Sequence, residues 1–272
     1  MPGLADGALK AQRDVVAHVL ANLQREPGIR TIGLGGSLAR GTADAYSDVD
    51  LTVRVDATCM RDVWRHRHRI VAIPRVPVLD LDHQWGDPAV VSYAALYETG
   101  VYLDLTFMEG EGLAAPEAVL LWSSPGPNPD QSPPGDARVD IHTDPFEDAL
   151  HMFWIGSPLC AKYLVRHELW TAHWFLESRR AAFLKAWRLV HAPSRVEWGW
   201  SKVHEDMPAS VLDLLAATVT PLEYAQMAQA LLNLTALMTR HGPELADAYG
   251  GSYPNAAAST VAAMVSRMLA SG

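Results

Sequence analysis

The chain is expected to be α+β, with strands and short helices in its first half and an all-helical bundle in its second. Three observations carry this. Short apolar and alternating runs at Thr31–Leu34, Val49–Val55 and Val90–Met108 read as strands. Ser123-Ser124-Pro125-Gly126-Pro127-Asn128-Pro129 and the Pro133-Pro134-Gly135 that follows form a stretch no helix or central strand survives. From Asp144 onward the sequence is rich in Leu, Ala, Trp and charged residues between helix-start and helix-stop signals. The expected boundaries are a first domain over 1–122, a Pro/Gly-rich linker or loop over 123–143, and a helical domain over 144–272.

Taken in order, Ala8 to Gln24 reads as an amphipathic helix with Leu9, Val16, Val19, Leu20 and Leu23 as its stripe, ended by Pro27-Gly28. Thr31 to Leu34 is a strand, followed by a Gly35-Gly36 turn and a short helix. Val49, Leu51, Val53 and Val55 alternate, so the next strand turns them into a core. Cys59 to Arg69 reads as one helix with a solvated basic face and Trp64 inward. Ile70 to Leu81 is β-like, but Pro74 and Pro77 confine it to a sheet edge. Val90–Tyr97 and Val101–Met108 form a hairpin across Glu98-Thr99-Gly100. Pro116 to Leu121 reads as a short helix.

In the second half, Asp144-Pro145 opens a helix with an acidic cap and proline at the first position. Helices are expected over 147–155, 160–177, 178–190, 208–217, 221–240 and 256–269. His241-Gly242-Pro243 reads as a stop, and Trp154, Trp170, Trp174 and Trp187 as partly core residues. There is no internal repeat.

With 272 residues, 49% of them hydrophobic, the chain can bury a sizeable core. Mean hydropathy is 0.00, and no apolar run approaches the roughly 18 residues of a membrane span. Met1-Pro2-Gly3-Leu4-Ala5-Asp6 does not read as a secretory signal. Cys59 and Cys160 stand alone, so a reduced, cytoplasmic protein is expected. A net charge of −9 argues against a generic nucleic-acid binder and suits a cationic small substrate.

The chemistry-bearing residues fall between positions 35 and 104. Gly35 and Gly36 permit a sharp turn and close backbone approach to a ligand. Their N–H groups and the Ser37 hydroxyl suit phosphate oxygens at the start of a helix. Asp48 and Asp50 are two apart on a strand, so both carboxylates leave the same face. Such a pair repels unless a cation sits between, and Mg²⁺ is that cation beside phosphates. On the strand Val101–Phe107, Tyr102, Asp104 and Thr106 share a face; set beside the first strand, it brings Asp104 to the same metals. Three acids on neighbouring strands are what two-metal phosphoryl or nucleotidyl transfer requires. The alternative is strand-edge acids without metal, against which Asp's rarity in strand interiors argues. No P-loop, G-x-G-x-x-G, G-x-S-x-G or H-E-x-x-H motif is present, and His151, His167 and His173 lack zinc-site spacing.

Gly36-Ser37, Asp48-x-Asp50 and the later strand aspartate Asp104 resemble the nucleotidyltransferase superfamily that includes DNA polymerase β. Phe153-Trp154, Ala161-Lys162-Tyr163-Leu164, Arg166, Glu168-Leu169, Ala172 and Leu184-x-x-Trp187 resemble the C-terminal helical domain of aminoglycoside 6-adenylyltransferases of the streptomycin-modifying type. Leu103-Asp104-Leu105-Thr106 also resembles their strand. The likeness covers residues 30–55, 100–107 and 153–190.

It implies an N-terminal nucleotidyltransferase mixed β-sheet with flanking helices that binds nucleotide and metal, and a C-terminal helical domain that binds the acceptor. The implied reaction moves AMP from ATP to a hydroxyl of a small molecule, an aminoglycoside-type antibiotic, with two Mg²⁺ ions. Asp48 and Asp50 would hold the ion on the phosphates, and Asp104 would complete a second site and stand nearest to a general base. The Gly36 amide and Ser37 would hold phosphate; Arg40 either reaches the same oxygens or lies in solvent. Lys162 would contact the triphosphate or be an ordinary surface lysine. Glu98 and Glu168 are candidate acceptor-binding acids or surface acids. Two rival readings are a nucleotidyltransferase with another acceptor (a lincosamide or a protein side chain) and a non-catalytic nucleotide-binding regulatory or antitoxin-like module. Neither membrane nor nucleic acid is an expected partner.

Overall fold

Val49, Leu51, Val53 and Val55 are buried, while Asp50, Thr52 and Arg54 between them are half-buried, which is the alternation of a strand with one face on a core. This strand lies near the centre of the first unit. The computed structural model describes residues 9–72, 76–84, 87, 89–110, 117–124, 138–141 and 143–272. The chain divides into two compact units, Met1–His142 and Thr143–Gly272. The secretory-signal reading at residues 1–6, Pro74, and residues 125–137 of the expected linker lie outside the described residues.

In the first unit the elements are α1 (Lys10–Leu23), β1 (Ile29–Leu34), α2 (Gly36–Arg40), β2 (Val49–Val55), α3 (Met60–Arg65), α4 (Arg67–Val71), β3 (Leu79–Gln84), β4 (Val90–Leu96), β5 (Tyr102–Glu109) and β6 (Val119–Ser123). Their strands form one mixed sheet in the order β3-β4-β5-β2-β1-β6. Only the central pair β2/β5 is parallel; the other pairings are antiparallel. One face carries Val49, Leu51, Val53, Leu103, Leu105 and Phe107 into a core shared with Val16, Val19 and Leu23 of α1 and Val63 and Trp64 of α3.

Two local expectations are corrected here. Residues 119–123 form strand β6 rather than a short helix. Thr31 to Leu34 of β1 pair with it, so the backbone groups of Val119–Ser123 find partners along β1 that a one-turn helix would not supply. The single helix expected over 59–69 is two, α3 and α4, divided at His66, whose Nδ1 lies 2.8 Å from Glu26 Oε2. Its basic face is not simply solvated: Arg67 makes a two-pronged bond to Asp82 (2.6 and 2.6 Å), and Arg69 bonds Glu26 (2.5 Å). Trp64 does pack inward, edge-on to Phe107. The edge strand expected over 70–81 begins only at Leu79, as β3, which does stand at the sheet edge; Ile70 and Val71 belong to α4 instead.

The second unit is helical: α5 (Pro145–Val165), α6 (Leu169–His191), α7 (Val203–Asp206), α8 (Ala209–Ala216), α9 (Tyr224–Tyr249) and α10 (Asn255–Ser271). Phe153, Trp154, Leu164, Leu176, Phe183, Leu231, Leu234, Met238, Val261 and Val265 make its core. Asp144 caps α5, accepting from the N–H groups of Phe146 and Glu147.

The helix breaks fall elsewhere than expected. α5 runs through Pro158, supported on both sides by burial and by the Ser157 hydroxyl donating to Phe153 O (2.8 Å). The break comes at His167, which adopts φ +55, with its N–H on Leu164 O and the Glu168 N–H on Tyr163 O. That is a Schellman ending built without glycine. α9 likewise continues through His241-Gly242-Pro243. The ring of Tyr253 sits where a Gly242 side chain would be, and its hydroxyl donates to Met238 O (3.2 Å). Trp154 and Trp187 are buried, but Trp170 and Trp174 are 79% and 62% exposed, so they are not core residues.

Candidate active site

The site is built at one end of the sheet. β1 ends at Leu34, which pairs with Leu51, so the turn after β1 folds over the start of β2. The Gly35 N–H donates to Asp50 O (2.8 Å). Gly36 adopts φ +62, and a Cβ there would stand 1.8 Å from Asp50 Oδ2. Glycine is therefore required twice over, by the left-handed backbone and by the carboxylate against it. Ser37, half-buried, lies in the first turn of α2, and its carbonyl accepts from Thr42 N–H (3.0 Å).

β2 and β5 run parallel with Asp50 opposite Asp104. Both project to the face away from the hydrophobic core, and Asp48 stands just before β2. Asp104 is affected by both neighbours: burial first, then the charges of Asp50 and Asp48, push its carboxyl up to about 6, against a smaller lowering by the Thr106 hydroxyl. That hydroxyl lies 3.4 Å from Asp104 Oδ1 and 2.8 Å from the hydroxyl of Ser92, which is buried. Since Thr106 has one proton and gives it to Asp104, Ser92 donates to Thr106.

The donor set suits a hard divalent cation: carboxylate oxygens at one end of the sheet, with Asp50 and Asp104 opposite each other on parallel strands. Among the described residues no three His, Cys, Asp or Glu side chains already converge as a metal cluster. Like charges have no reason to converge before a cation joins them.

The remaining candidates are spread more widely. Arg40 is exposed and lies 3.7 Å from Glu117. Glu98 is exposed in the β4–β5 turn, at the same end of the sheet as Asp104. Lys162 and Glu168 belong to the second unit. Lys162 is not a surface lysine: it is 3% exposed, with Nζ 4.7 Å from the centre of the Tyr163 ring. Glu168 is exposed between α5 and α6. Sequence reading assigned no role to Ser92, Thr106 or Gln12; Thr106 carried a signal in sharing a strand face with Asp104, and Gln12 in being a polar residue in phase with Val16, Val19 and Leu23.

Two outcomes follow from this geometry. Gly36→Ala has to displace the Asp50 carboxylate or reset the turn. It is expected to lower activity at this site about 10²-fold, the usual cost of a misplacement near 1 Å, and to lower Tm by several degrees, since alanine in the left-handed region costs about 1–2 kcal/mol. Transfer assays alongside thermal melts check this. Asp104 holds its proton more tightly folded than unfolded, so its contribution to stability is present below the unfolded value near 3.8 and is lost as pH rises towards about 6. Metal-free Asp104→Asn is therefore expected to be more stable than the parent at pH 8, by up to about 3 kcal/mol, and no more stable at pH 3. Denaturant melts in EDTA at the two pH values measure the difference.

A glycine turn closed on one strand aspartate, with another opposite it on a parallel neighbour, gives the layout of a nucleotidyltransferase fold. The chain belongs to the streptomycin adenylyltransferase family, whose model matches residues 9–268, and is an adenylyltransferase. No curated protein matches the sequence significantly. Among solved structures, the chain is similar to an aminoglycoside 6-adenyltransferase from Bacillus subtilis, with 16% identity, a TM-score of 0.39, and coverage of 97% of this chain and 99% of that one. It is also similar to a STING-associated CdnE c-di-GMP synthase from Capnocytophaga granulosa, with 12% identity, a TM-score of 0.30, and coverage of 99% and 83%.

Proposed function

We propose that this protein transfers AMP from ATP to a hydroxyl of an aminoglycoside-type antibiotic. The observation that carries the chemistry is the pairing of Asp50 with Asp104 across the parallel strands, under the Gly35-Gly36-Ser37 turn. The family supports the acceptor class, and the net charge of −9 is in keeping with a polycationic one.

Asp48, Asp50 and Asp104 hold Mg²⁺, which when bound neutralises phosphate charge and makes the acceptor hydroxyl more acidic. Gly36 and Ser37 present an amide and a hydroxyl to the outer phosphates, and Arg40 adds positive charge there once released from Glu117. Asp104 takes the proton from the acceptor hydroxyl as that oxygen attacks the α-phosphorus and pyrophosphate leaves. Ser92 and Thr106 keep Asp104 turned towards the acceptor. Lys162 contributes to triphosphate binding, and Glu98 and Glu168 to the cationic acceptor; these three assignments rest on the family resemblance.

The decisive experiment incubates the protein with ATP, Mg²⁺ and a panel of aminoglycosides, lincosamides and carrier proteins, and looks by mass spectrometry for an added AMP. Modification confined to an aminoglycoside is the expected result. AMP on another acceptor class alone, or pyrophosphate release that no acceptor stimulates, rejects the proposal.

A further inference from the structure

α1 buries one polar side chain among its apolar ones. Gln12 is 2% exposed, in phase with Val16, Val19 and Leu23, all of them in the core. Its Nε2 donates to two carbonyls of the loop between α2 and β2, Ala45 O (3.1 Å) and Ser47 O (3.2 Å). Both partners are acceptors, so the amide must present its NH₂ to the loop, and the orientation of the side chain is settled by chemistry. Its Oε1 is then left buried with no hydrogen-bond partner among the described residues. An unpaired buried acceptor destabilises, and a leucine or methionine would fill the place without it. The arrangement makes sense only if the loop must be held.

The loop has its own closure on the other side. Asp44 N–H donates to Ser47 Oγ (2.9 Å), Ser47 N–H to Asp44 O (3.0 Å), and Tyr46 N–H to Asp44 Oδ1 (3.0 Å). This folds residues 44–47 into a tight turn, and Ser47 is 3% exposed within it. Gln12 ties that turn to a helix anchored in the core. The next residue is Asp48, and two further on, with the strand begun, is Asp50.

We propose that Gln12 is a positioning residue for the Asp48 carboxylate, holding the turn that delivers Asp48 beside Asp50 so that the two bind a divalent cation together. This rests on the reading of Asp48 as a cation ligand. A partner that orients a ligand from behind typically contributes ten- to hundredfold in metal affinity or activity.

The test measures Mn²⁺ affinity of the whole protein by electron paramagnetic resonance, with α,β-methylene-ATP present so that nothing turns over. Gln12→Met keeps the side chain's length and removes both donors. It is expected to weaken Mn²⁺ binding about tenfold, to lower kcat by a similar factor at an unchanged acceptor KM, and to speed amide exchange at residues 47–50. Gln12→Glu, of the same shape and able when protonated to donate one bond, is expected to lose about threefold, between the wild type and Gln12→Met. If Gln12→Met does not fold, Gln12→Glu decides alone. Wild-type Mn²⁺ affinity in a folded Gln12 variant, with Asp48→Asn clearly weakened, overturns the proposal and leaves the site standing. Wild-type affinity in Asp48→Asn itself overturns both.

Discussion

Asp50→Asn is expected to lower AMP transfer by about 10³-fold or more, close to 4 kcal/mol of transition-state stabilisation, without unfolding the protein. Asp50 is the point where the site's elements meet. It faces Asp104 across β2/β5, its carbonyl takes the Gly35 N–H, and Gly36 is kept bare by its carboxylate. Asparagine keeps the shape and the strand but removes one anionic oxygen donor. The same change removes one of the charges that raises Asp104, so the Asp104 carboxyl should titrate lower in the variant. Transfer kinetics at saturating ATP and Mg²⁺ measure the first effect, and a metal-free carboxyl titration by NMR the second. Activity within tenfold of wild type would show that Asp50 is not a ligand.

The largest stability effect is expected at Asp206, in the second unit. Arg188 is fully buried, and its guanidinium bonds Asp206 Oδ2 (2.7 Å), Gly199 O (2.5 Å) and Ser201 O (2.6 Å). Arg195 bonds the other oxygen of Asp206 (2.8 Å), and the Trp187 indole donates to its carbonyl (2.8 Å). This network fixes the stretch 193–206, which ends in α7, to α6. Asp206→Ala strands a charged guanidinium in the interior, an error that costs roughly 3–5 kcal/mol. For a unit of this size that corresponds to a fall in Tm of about 10–20 °C. Replacing both partners, Arg188→Met with Asp206→Leu, should recover part of the loss, since the penalty lies in the unpaired charge. Thermal melts of the two variants and the wild type check it.

The strands that carry the site were legible because their signals are local. Alternation at Val49–Val55 and Val101–Phe107, and two glycines before a serine, need no partner to be read. Helix ends in the second unit were not. Pro158 and Pro243 look like breaks, yet burial along α5 and α9 outweighs a lost N–H, with Ser157 and Tyr253 donating to nearby helix carbonyls. His167 gives no such warning, because its left-handed φ is held by two capping bonds that a histidine does not advertise. Trp170 and Trp174 misled for another reason: size and apolarity suggest burial, but they lie on the outer side of α6.

The amino-acid order settled the class of fold and which carboxylates to suspect, since strand periodicity and residue chemistry are properties of short stretches. Pairing settled the rest. That β2 and β5 run side by side in the same direction, so that Asp50 meets Asp104, depends on hydrogen bonds between segments some fifty residues apart. The grip of Gln12 on the Asp48 turn likewise depends on tertiary contact, because an amide's partners are known only once a helix has been laid against a loop.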